Sequence, residues 1–159
     1  MKTSLILLSV ILLSLATKAQ TVRDFSLEDL DGEWQNFEDI QGEQLTLIDF
    51  WASWCKPCMK AMPEIEKIHK HFEGKGLNVI GINTDGPRSI SKVPPLTKAL
   101  KVSYPVLSDI NNELMQDLNI SALPTLLLIN KEGEIVYRHE GWALGDEAEL
   151  NEQILKYLK

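Results

Sequence analysis

The hydrophobic period of this chain changes at one place, and that place holds its only two cysteines. The run Leu45-Thr46-Leu47-Ile48-Asp49-Phe50-Trp51 is short and mostly apolar, as a strand buried on both faces should be. Beyond the cysteines, Met59, Met62, Ile65, Ile68 and Phe72 recur at three- and four-residue steps, the apolar stripe of an amphipathic helix over residues 56–72. Cys55 and Cys58 therefore stand where a buried strand becomes a helix N-terminus.

That position favours a thiolate, because unpaired backbone N–H groups and the positive end of the helix macrodipole converge on the first turn. Cys55 lies outermost, and Lys56 adds a nearby positive charge, so Cys55 is the expected nucleophile. Two helical residues at i and i+3 hold their Cβ atoms roughly 5–6 Å apart, too far for a disulfide. A Cys55 with non-helical N-cap dihedrals can close on Cys58. Pro57 suits the first turn, where its missing N–H has no intrahelical partner. A structural disulfide is the plain alternative wherever the surroundings are oxidising. It restrains little chain entropy across so small a loop.

The segment Asp49-Phe50-Trp51-Ala52-Ser53-Trp54-Cys55-Lys56-Pro57-Cys58, with Pro63 following, resembles the active-site signature of the thioredoxin superfamily. Arg23-Asp24-Phe25-Ser26-Leu27 with Asp31-Gly32 resembles the N-terminal hairpin of its extracytoplasmic TlpA/ResA-like branch. Leu123-Pro124-Thr125 resembles the cis-proline element that faces the cysteines. The resemblance implies an α/β thioredoxin fold: a central mixed β-sheet flanked by helices, with an N-terminal β-hairpin. It implies a disulfide-forming Cys55/Cys58 pair and a substrate surface made by Trp54, Leu123, Pro124 and Thr125. Trp51, Lys56 and Pro57 are supporting residues. Asp49 sits where thioredoxins carry a buried carboxylate behind the second cysteine. Among apolar neighbours its pKa should rise, fitting a base that deprotonates Cys58.

The first residues have a separate logic. Lys2 precedes an apolar stretch from Leu5 to Leu15, too short to span a bilayer comfortably, and Thr17-Lys18-Ala19 offers small residues for cleavage before Gln20. We expect residues 1–19 to be a signal peptide and residues 20–159 one thioredoxin-like domain, delivered to the periplasm. An uncleaved membrane anchor is the alternative. The formal charge of −7 becomes more negative once Lys2 and Lys18 are removed, which argues against nucleic acid as a partner.

Outside the motif, residues 25–27 and 34–37 are expected to pair as a hairpin, and residues 77–83 to form a second buried strand parallel to the first. Val93-Pro94-Pro95 should force Val93 to be extended, leaving 86–93 as loop or an isolated turn and a helix over 95–101. Residues 105–107 resemble the branch's next short strand. Asp109 should cap a helix bearing Ile110, Leu114 and Leu118. Residues 125–129 and 134–138 should form an antiparallel pair around the turn at 130–133. Asp146 and Glu149 match a capping box opening a final helix. Asp85 and Glu140 read as surface acids, His69 and His71 as solvated surface, and His139 as structural.

The activity implied is an exported thiol–disulfide oxidoreductase that reduces protein disulfides and receives electrons from a membrane thiol carrier, with cytochrome c maturation as the branch's familiar task. A monomer without cofactor or metal is expected; one cysteine pair makes no closed zinc site. Two rivals differ in chemistry. A thiol peroxidase of the peroxiredoxin-like group shares the fold, but its proline–threonine arrangement is absent. A copper-binding chaperone would exploit thiolate affinity for Cu(I), but related copper proteins space their cysteines more widely.

Overall fold

A strand with no polar face needs cover on both sides, and the computed structural model, which describes residues 20–158, supplies it. The strand β3 (Leu45–Trp51) is buried at every position. It lies in a seven-stranded sheet with β1 (Ser26–Asp29), β2 (Trp34–Asn36), β4 (Leu77–Asn83), β5 (Val106–Ser108), β6 (Thr125–Asn130) and β7 (Ile135–Glu140), ordered β2-β1-β5-β4-β3-β6-β7. The pairs β3–β4 and β4–β5 are parallel and the rest antiparallel, so the sheet is mixed.

Alternation along β3 sorts its side chains between two cores. Leu45, Leu47 and Trp51 face α2 (Lys56–Phe72), α5 (Asp146–Tyr157) and α3 (Val93–Ala99), packing with Met62, Ile65 and Ile154. Ile48 and Phe50 face the opposite layer, with Phe37 of α1 (Phe37–Ile40) and Leu114 of α4 (Glu113–Asp117). Asp49 follows the parity of Leu47 and Trp51 and so shares the face that α2 covers.

Several local expectations need correction. The first hairpin strand is set one or two residues later than expected, with Phe25 outside β1, and the second begins at Trp34 as expected but ends one residue early, because Phe37 opens α1. The hairpin is also part of the main sheet, because Glu28 and Asp29 pair with Ser108 and Leu107. Val93 is helical (φ −67°, ψ −53°) despite the following proline. A 3₁₀ turn over Ile90–Lys92 feeds directly into α3, and Pro94 and Pro95 occupy the first turn, where a missing N–H costs nothing. Burial of Val93 in the core offsets its disfavoured conformation. The expected capping box is absent. Gly145 is the N-cap of α5 without a side-chain bond, while Asp146 Oδ2 accepts from Ala143 N–H (2.7 Å) and contacts His139 Nε2 (2.9 Å). Asp109 does cap α4, from three residues before the formal N-cap Asn112. Its carboxylate accepts from the N–H groups of Leu114 (3.3 Å) and Met115 (2.8 Å). Ile110 precedes the helix. The turn after β6 is as expected, with Gly133 at φ +82°.

Among the described residues no helix is long and apolar enough to cross a membrane. The signal-peptide expectation falls on residues 1–19, outside the described part of the chain.

Candidate active site

The loop from β3 to α2 carries the two cysteines and is tied down from β4. Cys55 is the N-cap of α2, with extended dihedrals (φ −82°, ψ 99°). This lets its sulfur reach Cys58: the two form a disulfide with S–S 1.99 Å and Cα–Cα 5.3 Å. The Cys58 N–H donates to Cys55 Sγ at 3.2 Å, so the sulfur occupies the place of a capping oxygen. Cys55 is 4% exposed and Cys58 fully enclosed. A partner arriving from solvent meets the outer sulfur first. Lys56 and Pro57 are exposed on the first turn.

Trp51 and Trp54 separate cleanly. Trp51 is wholly buried in the core beside the cysteines, whereas Trp54 is 68% exposed on the residue before Cys55. The bond between Leu123 and Pro124 is cis. Because Thr125 pairs with Phe50 across β6–β3, Pro124 comes one position further along, abreast of Trp51 and the cysteine loop. Pro124 and Thr125 are buried and Leu123 is half-buried; the Thr125 hydroxyl donates to Ala122 O at 2.8 Å. The ten candidate site residues thus divide into a buried set of Asp49, Trp51, Cys55, Cys58, Pro124 and Thr125, in which Cys55 alone keeps a small opening to solvent, and a more exposed set of Trp54, Lys56, Pro57 and Leu123.

Asp49 has no solvent exposure, and neither carboxyl oxygen has a hydrogen-bond partner. Burial alone pushes its pKa up to about 7. It occupies the sheet face that α2 covers, the side on which Cys58 is buried.

Asp85 is a correction. Instead of being a surface acid, it is fully buried just after β4. Its Oδ2 accepts from Ser53 N–H (2.6 Å) and Asn83 Nδ2 (2.9 Å), and its Oδ1 from the Ser53 hydroxyl (2.7 Å). Burial raises its pKa, but the Ser53 and Asn83 bonds outweigh that and hold it below the ordinary carboxylate range. Thr84 adds N–H and hydroxyl bonds to Trp51 O, at 2.9 and 3.2 Å. The strand end at 83–85 therefore fixes the loop two residues before Cys55. The signal available was position: C-terminal ends of adjacent parallel strands are where α/β folds place their sites.

The remaining acids and histidines lie elsewhere. Glu140 is exposed and pairs with Arg138 at 2.9 Å. His71 is exposed; His69 is half-buried with its ring edge-on to Tyr104. His139 bonds Asp146 and Tyr137, a structural link as expected. Among the described residues no cluster of three His, Cys, Asp or Glu is arranged to hold a metal.

The sequence matches the AhpC/TSA family over residues 19–138. The chain belongs to the AhpC/TSA family. Among relatives, a thiol-disulfide oxidoreductase ResA from Halalkalibacterium halodurans is 31% identical over 92% of this chain and 80% of its own. A crystal structure of a Chlorobium tepidum protein provisionally named thiol:disulfide interchange protein DsbE superposes with TM-score 0.81 at 26% identity, covering 89% of this chain and 97% of its own. StoA from Bacillus subtilis superposes with TM-score 0.68 at 25% identity, covering 85% of this chain and 99% of its own. This AhpC/TSA member has the thioredoxin fold, and with its Cys55–Cys58 disulfide it is a thiol–disulfide oxidoreductase of the ResA/DsbE type.

Proposed function

We propose that this protein is exported, with residues 1–19 as a cleaved signal peptide and residues 20–159 as the mature domain, and that it reduces protein disulfides outside the cytoplasm. The observation that carries the chemical order is the exposure difference: Cys55 is slightly open at a helix N-cap, and Cys58 is closed behind it. In the reduced enzyme the Cys55 thiolate attacks a substrate disulfide. One substrate sulfur leaves as thiolate, and a mixed disulfide forms at Cys55. Cys58, losing its proton to Asp49, then attacks Cys55 Sγ; the second substrate sulfur departs and the enzyme is left oxidised. Two electrons pass to the substrate, and a membrane thiol–disulfide carrier restores them. Trp54, Leu123, Pro124 and Thr125 hold the extended substrate beside Cys55, with Trp51, Lys56 and Pro57 as support. The domain works as a monomer, and cytochrome c maturation is the task we assign to it.

Trapping tests this reading. Cys55→Ser should abolish reduction of insulin disulfides, while Cys58→Ala should keep single attack and accumulate mixed disulfides with periplasmic proteins, c-type cytochrome precursors among them. Equal alkylation rates of the two thiols at neutral pH would refute the assigned order. Intact mass of the exported protein should begin at Gln20; retention of residues 1–19 would replace cleavage by anchoring.

A further inference from the structure

Four side chains on the α2 side of the sheet have buried polar atoms without partners: the Asp49 carboxyl, the Trp51 indole N–H, the Tyr104 hydroxyl and, on α2 itself, His69 Nδ1. Asp49 and Trp51 are 0% exposed and Tyr104 3%. Such groups are costly to bury singly, and these are not scattered. Asp49 pairs across β3–β4 with Gly81. A Cβ placed on Gly81 would lie 3.2 Å from Trp51 Nε1 and 3.1 Å from Tyr104 Cε2. The bare glycine lets an indole N–H and a phenol edge close in on the strand position beside Asp49. One acceptor group thus has an indole and a phenol on the neighbouring strand position, with no hydrogen bond yet made between them.

We infer that Tyr104 is a positioning residue for Asp49: its hydroxyl, together with Trp51 Nε1–H, solvates the Asp49 carboxylate once the proton has left, and Gly81 makes the room. This rests on the proposed role of Asp49 as base toward Cys58. The neighbours fit it. Burial first, then the charges of Asp49 and Glu66, hold the Tyr104 hydroxyl well above its ordinary pKa, so it stays a donor. Gly81 and Leu126, which flank Asp49 on β4 and β6, do not titrate. From α2, the Cys58 thiol titrates against Asp49 once the disulfide is opened, and His69 meets the Tyr104 ring edge-on at 5.9 Å. Glu66 is spoken for by Lys70 (2.9 Å) and by the N–H and hydroxyl of Ser103 (2.8 and 2.6 Å).

The test is Tyr104→Phe, which keeps the ring and removes the donor, with Trp51→Phe as the second variant. The readouts are the ¹³C titration of the Asp49 carboxyl in reduced protein, assigned with Asp49→Asn, and the pH profile of mixed-disulfide resolution. Both variants should move the titration to higher pH. Tyr104→Phe should slow resolution at pH 7 by at least about threefold, with recovery of the wild-type rate near pH 9, since one lost hydrogen bond to a charged group is worth more than that factor. A titration that stays put in both variants overturns the inference, whatever happens to stability. If Asp49→Asn resolves at the wild-type rate while Tyr104→Phe still shifts the carboxyl, the base role fails and the Tyr104 assignment stands.

Discussion

Asp49 and Asp85 are both buried acids near the cysteines, and they depend on pH in opposite ways. The folded-state pKa of Asp49, about 7, lies above the ordinary value of 3.8. The native state therefore binds the proton more tightly than the unfolded state, and stability from this group is full below pH 4 and lost as pH rises toward 7. The loss amounts to roughly 4 kcal/mol at about 1.4 kcal/mol per unit. Asp49→Asn should remove that slope, raising Tm at pH 8 while slowing resolution about 10²-fold if base catalysis is fully used; thermal melts from pH 4 to 9 and single-turnover kinetics measure the two effects. Asp85 has a depressed pKa, so its contribution is present above the ordinary carboxylate range and fades as pH falls through it. Asp85→Ala strands the N–H and hydroxyl of Ser53 and should cost about 1.5–3 kcal/mol in denaturant unfolding, with a slower Cys55 alkylation rate. Asp49 was legible in the sequence because its neighbours are apolar. Asp85 was not, because it falls between the strand ending at Asn83 and the loop beginning at Gly86, and its partner Ser53 is 32 positions away.

At the scale of elements, β3, α2 and β4 could be read to the residue, since a continuous apolar run and a 3.6-residue stripe are strong periodic signals. The misses lie at element ends that are set by contacts. Val93 turned helical because its side chain reached the core, and Asp146 was diverted from a cap to His139 and Ala143. Local sequence rules describe isolated ends, and tertiary partners override them. Asp109 shows the reverse case: the residue was right and the geometry different. Asp109→Ala should free the N–H groups of Leu114 and Met115, costing about 1–2 kcal/mol. Faster hydrogen exchange at those two amides, with the Cys55 thiol unchanged in reactivity, is the expected signature.

At the scale of the molecule, the sheet divides two hydrophobic layers, and both cysteines belong to one of them, with Trp51, Met62 and Ile65. The opposite layer, built on Phe50, Ile80, Ile82 and Leu127, includes neither cysteine. Ile82→Val should cost about 1 kcal/mol in denaturant unfolding and leave the Cys55 alkylation rate as it was, whereas Met62→Ala should cost about 2–5 kcal/mol and change that rate as well. One set of positions thus bears on robustness alone, and the other on robustness and reactivity together. A lineage can drift on the far side to suit a warmer or harsher habitat while the chemistry on the near side stays fixed, whereas a change on the near side moves both at once.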